Sequence, residues 1–488
     1  MKKLTSFIIL IVGIVFLTAC GEVKPPNGGG KKGTVNLTYA DWGDEEFNQA
    51  MIDAFMKEYP HIKVSIDPVG GTGAEFTGNL IAQAQGDFLP DVFAIDNVPT
   101  VIKEGLTLDV SEYWDKDEDA KLVYEGIAET GVYNGKRYAV PSFQFFKGIL
   151  VNKTLFKKKN LTTVDGRYRI DEEGLPYKDW TYSEMVELAK EITNYNISDK
   201  ENFVSGLALW YGAADFQQIW PFMDDHTVGY DTWDGEKFNY TSEAWIEAMK
   251  VKVDLMDNVK YPGVTSNFPT DEADQEFLQS LGWMIATGYS AMAIDGSWNF
   301  PAITQGLENN QDIGFWPYPG GEGGQKVPTI LDYQCVSSQT RHPEEAYLLA
   351  KWMTYGKQGW LARLDILTKN REAQIAANEP ITHLIMFPVA DYPEVWEKVD
   401  VLLHDEDGNI YIEGLQEILD NIDNAQPDLD KWLAGYKDFW TWVHDEEDNP
   451  YRWVNLLEAG PTAVPTYAAQ WEAKINEIVQ KALKEMGA

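Results

Sequence analysis

Hydrophobic and polar positions alternate along residues 35–40 (VNLTYA), with Val35, Leu37 and Tyr39 on one side. A period of two predicts a strand. The period then lengthens: Asp44 stands where a helix cap belongs, and Phe47, Met51, Ala54 and Phe55 line one side of a helix ending near Pro60. Ile62, Val64 and Ile66 alternate again, a glycine-rich VGGTG turn leads into a helix predicted over 74–86, and PDVFAID at 90–96 reads as a third strand. Strand, helix, strand, helix, strand at this spacing predicts a parallel sheet with right-handed crossovers. Ligands of open α/β sheets collect at the carboxyl ends of the strands, here the loops Trp42–Asp44, Gly70–Gly73 and Asp96–Asn97.

Farther on, GKRYAVPSFQFFKGILVN at 135–152 carries an apolar, strand-like run from one body into a second. Met185, Leu188, Ala189 and Ile192 mark a helix over 182–192, followed by the aromatic-rich LALWYGAADFQQIWPFM. SAMAIDGSWNF and DIGFWPYPGG read as short strands that stop at Gly, Pro and Trp. Pro343 opens a helix with Ala346, Leu349, Ala350 and Met353 at helical spacing. The chain closes on an amphipathic helix carrying Trp471, Ile475, Ile478, Val479 and Leu483, and no internal repeat is evident.

The first 33 residues follow none of these patterns. Lys2 and Lys3 precede an apolar stretch, Phe7–Leu17, that is too short to span a bilayer and suits a secretory signal. Leu17, Thr18, Ala19, Cys20 and Gly21 resemble the lipobox of bacterial lipoproteins. That resemblance implies removal of residues 1–19, lipidation of Cys20 and anchorage on the outer face of the cell membrane. Residues 20–33, with Pro25, Pro26 and Gly28 to Gly30, then form a flexible tether. Cys335 is the other cysteine, so a lipidated Cys20 leaves no internal disulfide. With 488 residues and 44% hydrophobic content, packing alone can support two or more lobes.

A formal net charge of -37 disfavours nucleic acid and anionic substrates and leaves neutral or cationic partners. Eighteen tryptophans are more than a scaffold needs, and each offers a flat apolar face with a polar edge.

The blocks YADWGDEEFNQAMIDAFMKEYPHIKV, LPDVFAID, GKRYAVPSFQFFKGILVNKTLF, DWTYSEMVELAKEI, SAMAIDGSWNF and PEEAYLLAKWMT occur in this order. In that order they resemble family 1 extracellular solute-binding proteins, the maltose-binding-like receptors of ABC importers. The resemblance runs from about residue 34 to the end. It implies an α/β, periplasmic-binding-protein-like fold, with two α/β lobes on a multi-strand hinge and a ligand cleft between them. Residues 34–143 plus about 325–360 would form lobe one, and about 144–324 plus 361–488 lobe two. It further implies a monomeric, non-enzymatic receptor without cofactor that closes on a neutral sugar or oligosaccharide and delivers it to ABC permease subunits. The lipid tether would hold it near the permease.

A pyranose has apolar C–H faces and a rim of hydroxyls, so its site needs flat aromatics with carboxylates or amides. Trp42 with Asp44, Asp96, and Asp295 with Trp298 all stand at strand ends. The family places aromatics at the positions of Trp42 and Trp298. Each also has a plain structural role open to it: Asp44 as a helix cap, Asp96 as a backbone partner, Trp298 as core. Gly71 could admit a ligand to the backbone or only serve a tight turn. Phe145, Trp210 and Trp440 are further platforms.

Other chemistry finds less support. The glycine-rich turn lacks the Lys-Ser/Thr of a phosphate loop, no G-x-S-x-G or H-E-x-x-H occurs, and six scattered histidines argue against a metal centre. DKDEDAKLVYEG has acids at calcium-loop positions one, three and five, but Ala120 at six and Gly126 at twelve, and reads as a solvated acidic edge. HDEDGNIYIEG reads as a hairpin turn. The competing functions are a surface-anchored carbohydrate hydrolase, whose two carboxyls must face one glycosidic bond, and a receptor for a peptide or polyamine.

Overall fold

The structure, a computed structural model, describes residues 33–158, 170–194, 202–208, 215–225, 227–256 and 272–487. The expected signal segment and lipidation at Cys20 lie outside the described residues, as do residues 20–32 of the expected tether and Trp210. Among the described residues no helix is long and apolar enough to cross a membrane.

Eight strands form one curled sheet: β1 (Val35–Ala40), β2 (Ile62–Ile66), β3 (Val92–Ile95), β4 (Val140–Asn152), β5 (Met292–Gly296), β6 (Ile313–Trp316), β7 (Val327–Val336) and β8 (Ala425–Pro427). Their order is β2-β1-β3-β7-β4-β5, with β8 beside β7 and β6 beside β4. β1 pairs in parallel with both β2 and β3, as the alternating pattern predicts. Crossovers are supplied by α1 (Glu45–Glu58), capped by Asp44 at Phe47 N, and α2 (Gly73–Ala84). α3 (Val98–Lys103) follows β3.

The longest strand, β4, changes partners midway. Residues 140–146 pair antiparallel with β7, whereas Lys147 to Asn152 pair with β5 and β6. Its apolar run is therefore buried in two places. Phe146 and Leu150 join a first core cluster with Tyr39, Met51, Phe55, Phe93 and Tyr333, which continues to Phe300, Ile303 and Phe315. Ile149 and Val151 face a second cluster. That cluster is built by the helices α4 (Tyr182–Ile192), α5 (Asp215–Asp224), α6 (Glu243–Leu255), α10 (Tyr436–His444) and α11 (Val464–Glu485). Trp180, Trp245 and Trp471 are fully buried there.

Three further helices complete the frame: α7 (Pro301–Glu308), α8 (Pro343–Met353) and α9 (Lys357–Ala377). α9 packs along α1 and α8. A Cβ on Gly359 would sit 1.9 Å from the Trp352 carbonyl oxygen, so only glycine allows that approach. Residues 361–422, grouped with lobe two on the resemblance, send Leu364, Phe387, Val395, Leu402 and Leu415 into the first cluster. The acidic run at 115–119 also differs from the solvated edge expected of it. Asp117 accepts from Lys351 Nζ at 2.6 Å and Tyr355 OH at 2.8 Å, and Asp119 pairs with the same lysine at 2.9 Å. HDEDGNIYIEG turns back as expected, but through a single bridge, His404 with Ile410, rather than paired strands.

One buried acid gives the second lobe a pH dependence. Asp231 accepts from Tyr240 OH at 2.6 Å, Tyr436 OH at 2.7 Å and Trp245 Nε1 at 3.2 Å. Burial pushes its carboxyl up to about 7 in spite of these donors. The folded state thus holds a proton that the unfolded state releases near pH 4, so this contribution to stability is present below pH 4 and lost as pH rises through 7. Denaturant melts of wild type and Asp231→Asn at pH 5 and pH 8 should show the wild type losing on the order of 2 kcal/mol more than the variant over that interval.

Candidate functional site

A cleft of about 1390 Å³ opens where the carboxyl end of β1, the β4 crossing, β7 and α9 meet α7. Trp42, Asp44, Phe47, Phe143 and Phe145 line it, with Asp332, Tyr333 and Gln334 of β7 and Trp283 and Thr304 on the far side. The register of β4 against β7 slips between Pro141 and Gln144, a bulge just ahead of the residues where the strand changes partners. The bulge is locked from outside. Gln144 and Phe387 exchange backbone hydrogen bonds at 3.1 and 2.9 Å, and Gln144 Nε2 donates to the Pro388 carbonyl at 2.8 Å.

Of the expected ligand residues, Trp42, Asp44 and Phe145 are gathered here. Phe76 of α2 meets Trp42 edge-on at 5.1 Å and braces the indole. Asp44 has the capping role as well, accepting from Phe47 N at 2.8 Å. Phe145 lies edge-on to Phe143 at 5.4 Å and to Trp298 at 6.1 Å, so Trp298 touches a cleft-lining ring without lining the cleft itself. Trp298 in turn lies over Gly296, where a Cβ would fall 2.1 Å from the ring. Asp295 is committed to its own loop: it accepts from Gly296 N at 2.8 Å and from Asn299 Nδ2 at 2.7 and 2.6 Å. Burial raises its carboxyl to about 6.

Three expected residues lie elsewhere. Asp96 accepts from Lys437 Nζ at 2.6 Å. Gly71, at φ +82°, serves the turn into α2, and a Cβ there would strike the Glu75 side chain at 2.6 Å. Trp440 packs in the second core, edge-on to Phe439 and Trp471 and stacked at 6.0 Å on His444.

The sequence reading missed Asp41 and Arg363. Asp41 accepts from Gly43 N at 2.6 Å, Tyr39 OH at 3.1 Å and Gln334 Nε2 at 3.3 Å, so it fixes the loop that carries Trp42. Burial raises its carboxyl above the usual range, against the Gly43 amide. Arg363, only 4% exposed, sets its guanidinium 5.3 Å from the centroids of Phe47 and Trp360 and 5.6 Å from Phe143. It donates to the Met353 carbonyl at 3.0 Å and to Met386 Sδ at 3.3 Å, and burial lowers its pKa to about 10. The one signal available was spacing: Trp360, Arg363, Leu364 and Leu367 recur on one helical face.

Two packed bodies, a strand passing between them and an aromatic-walled gap at the crossing define a two-lobed binding protein. The chain belongs to the bacterial extracellular solute-binding protein family, whose model matches residues 40–355. An ABC transporter extracellular-binding protein of Pyrococcus horikoshii is 26% identical over 328 residues, which span 64% of this chain and 65% of that protein. Solved structures share the fold at lower identity. An ABC substrate-binding protein of Listeria monocytogenes in complex with cycloalternan superposes with a TM-score of 0.61 at 18% identity, over 91% of this chain and 98% of that one. The cyclic α-maltosyl-1,6-maltose binding protein of Arthrobacter globiformis gives 0.59 at 18% identity, over 92% and 100%.

Gly296→Ala should displace the Trp298 ring from its seat. The expected outcome is a changed near-ultraviolet circular dichroism spectrum and a loss of roughly 1–3 kcal/mol in denaturant melts, since overfilling a packed site forces neighbours off their rotamers.

Proposed function

We propose that this protein is a cell-surface receptor that binds a sugar, of oligosaccharide size, in the cleft at the β4 crossing and passes it to an ABC permease. The observation that carries the reading is the aromatic lining of Trp42, Phe143 and Phe145, in a cleft beside the strand that two core clusters share. Flat rings cover the C–H faces of pyranoses, and nearby polar groups take hydroxyl protons. Trp42 and Phe145 serve as stacking platforms, Asp44 takes a hydroxyl from the rim, and Trp298, edge-on to Phe145, braces that platform. Selectivity comes from polar groups that a wrong sugar leaves unpaired.

Support for a saccharide ligand comes from the two solved neighbours, one in complex with cycloalternan and one named for binding cyclic α-maltosyl-1,6-maltose. The archaeal relative's description supports work with an ABC transporter. The lipobox-like stretch at residues 17–21 supports export and anchoring through Cys20. A chain held at the membrane meets its permease at raised effective concentration.

Incubation with a panel of purified malto-, manno- and xylo-oligosaccharides tests the reading. At least one should raise the melting temperature without generating new reducing ends, and Trp42→Ala should weaken its binding about tenfold or more. New reducing ends abolished by one Asp or Glu substitution would establish a hydrolase instead. Stabilisation by polyamines or peptides alone would establish the other receptor class.

A further inference from the structure

Residues 428–438 form another connection between the lobes, besides β4 and the 317–326 segment between β6 and β7, and they are held from both sides. On the first-lobe side, Asn97 Nδ2 donates to the Asp430 carbonyl at 2.9 Å, Val98 N to the Lys431 carbonyl at 2.8 Å, and Tyr133 OH to the Trp432 carbonyl. Toward the second lobe, Leu429 and Leu433 plug into its core cluster. The chain then turns at Gly435, at φ +83°, where a Cβ would lie 3.1 Å from α11 atoms. Tyr436 follows at once, anchored to Asp231 at 2.7 Å and to Gln218 at 2.8 Å. The start of α10 is therefore fixed in the second lobe.

The next two residues of this anchored helix point opposite charges at the first lobe. Lys437 meets Asp96 at 2.6 Å, just before α3, and Asp438 meets Lys103 at 3.6 Å, at the end of α3. A slip of α10 by one residue would exchange the partners and set like charges face to face, so the double pair selects one register. Lys431 adds a third pair, with Asp332 on β7 at the wall of the cleft. Three lysines at one seam stand out in a chain with 40 basic residues against 77 acidic ones. Asp96 and Lys437 are partly exposed, at 23% and 45%, so salt and water can reach the contact. Pairs of this kind are weak enough to open and are screened by ionic strength.

We propose that residues 428–438 are an electrostatic strap that sets the angle between the lobes, with Asp96–Lys437 and Lys103–Asp438 favouring the arrangement in which they meet. The strap's consequence for ligand capture rests on the receptor reading above; the strap itself does not. Ionic strength thereby becomes a control on lobe opening. Each pair favours the paired arrangement by about twofold to fivefold, and the bias fades as the Debye length falls from about 10 Å near 0.1 M salt to about 3 Å near 1 M.

The test is an interlobe distance measured without ligand. Spin labels at Phe88→Cys and Val454→Cys occupy exposed positions on the two lobes, and in the full chain carrying Cys20→Ser the remaining thiol, Cys335, is buried. Pulsed dipolar spectroscopy should show the distribution moving to longer distances in high salt. Lys437→Met and Asp96→Asn should reproduce that shift in low salt, and the exchange Asp96→Lys with Lys437→Asp should reverse it. Melting curves matching those of the labelled parent establish that each variant is folded. Distributions that stay the same across salt and across folded variants would overturn the proposal. A strap that responds in a protein no saccharide stabilises would leave this inference standing and remove the receptor reading instead.

Discussion

One strand changes partners midway through the sheet. Val140–Asn152 gives its first seven residues to β7 and the rest to β5 and β6, and the cleft exists because the handover occurs inside a continuous hydrogen-bonded element. A strand can bend at such a point without losing its ladder, whereas a loop there would leave backbone groups to find other partners. The same geometry turns Phe143 and Phe145 toward the gap while Phe146 and Leu150 stay in the first core. Core residues and cleft-lining residues thus come from one run.

The cleft's walls come from segments far apart in the chain, and buried polar contacts hold them in register. Asp41 ties the Trp42 loop to Gln334 on β7. Ser297 Oγ donates to the Ile385 carbonyl at 2.5 Å and accepts from Phe146 N at 3.2 Å, joining the Trp298 loop to both the crossing strand and the 379–388 segment. Lys147, at the first residue of the second-lobe portion of β4, reaches Asp215 at 3.0 Å and Tyr230 OH at 2.7 Å. A buried polar group or charge left without its partner is costly, so each contact makes displacement of one segment felt by the next.

Much of this was legible along the chain, for physical reasons that also explain the omissions. β1, β2 and α1 declare themselves because each buries one face and wets the other, and a parallel sheet then follows from their spacing. Trp42 was singled out because strand ends are where open sheets admit ligands, and it does line the cleft; Phe145, inside β4, was singled out only as a further aromatic platform. α9 was missed: its inner face includes Arg363 and Arg371 among apolar residues, and a code of hydrophobic against polar cannot register a cation buried among rings. Asp96 and Trp440 carry the right chemistry in the right order, but a contact at 2.6 Å to Lys437, 341 residues away, is invisible to local pattern. Asp44 shows that two roles need not exclude each other, since one carboxylate caps α1 and also lines the cleft.

The central claim is that the two lobes move as bodies about the β4 crossing and come together on a bound saccharide. Small-angle X-ray scattering with and without an oligosaccharide that stabilises the protein addresses it most directly. The account predicts a smaller radius of gyration on saturation, with no change in molecular mass. A radius that stays constant while the sugar is demonstrably bound would contradict it.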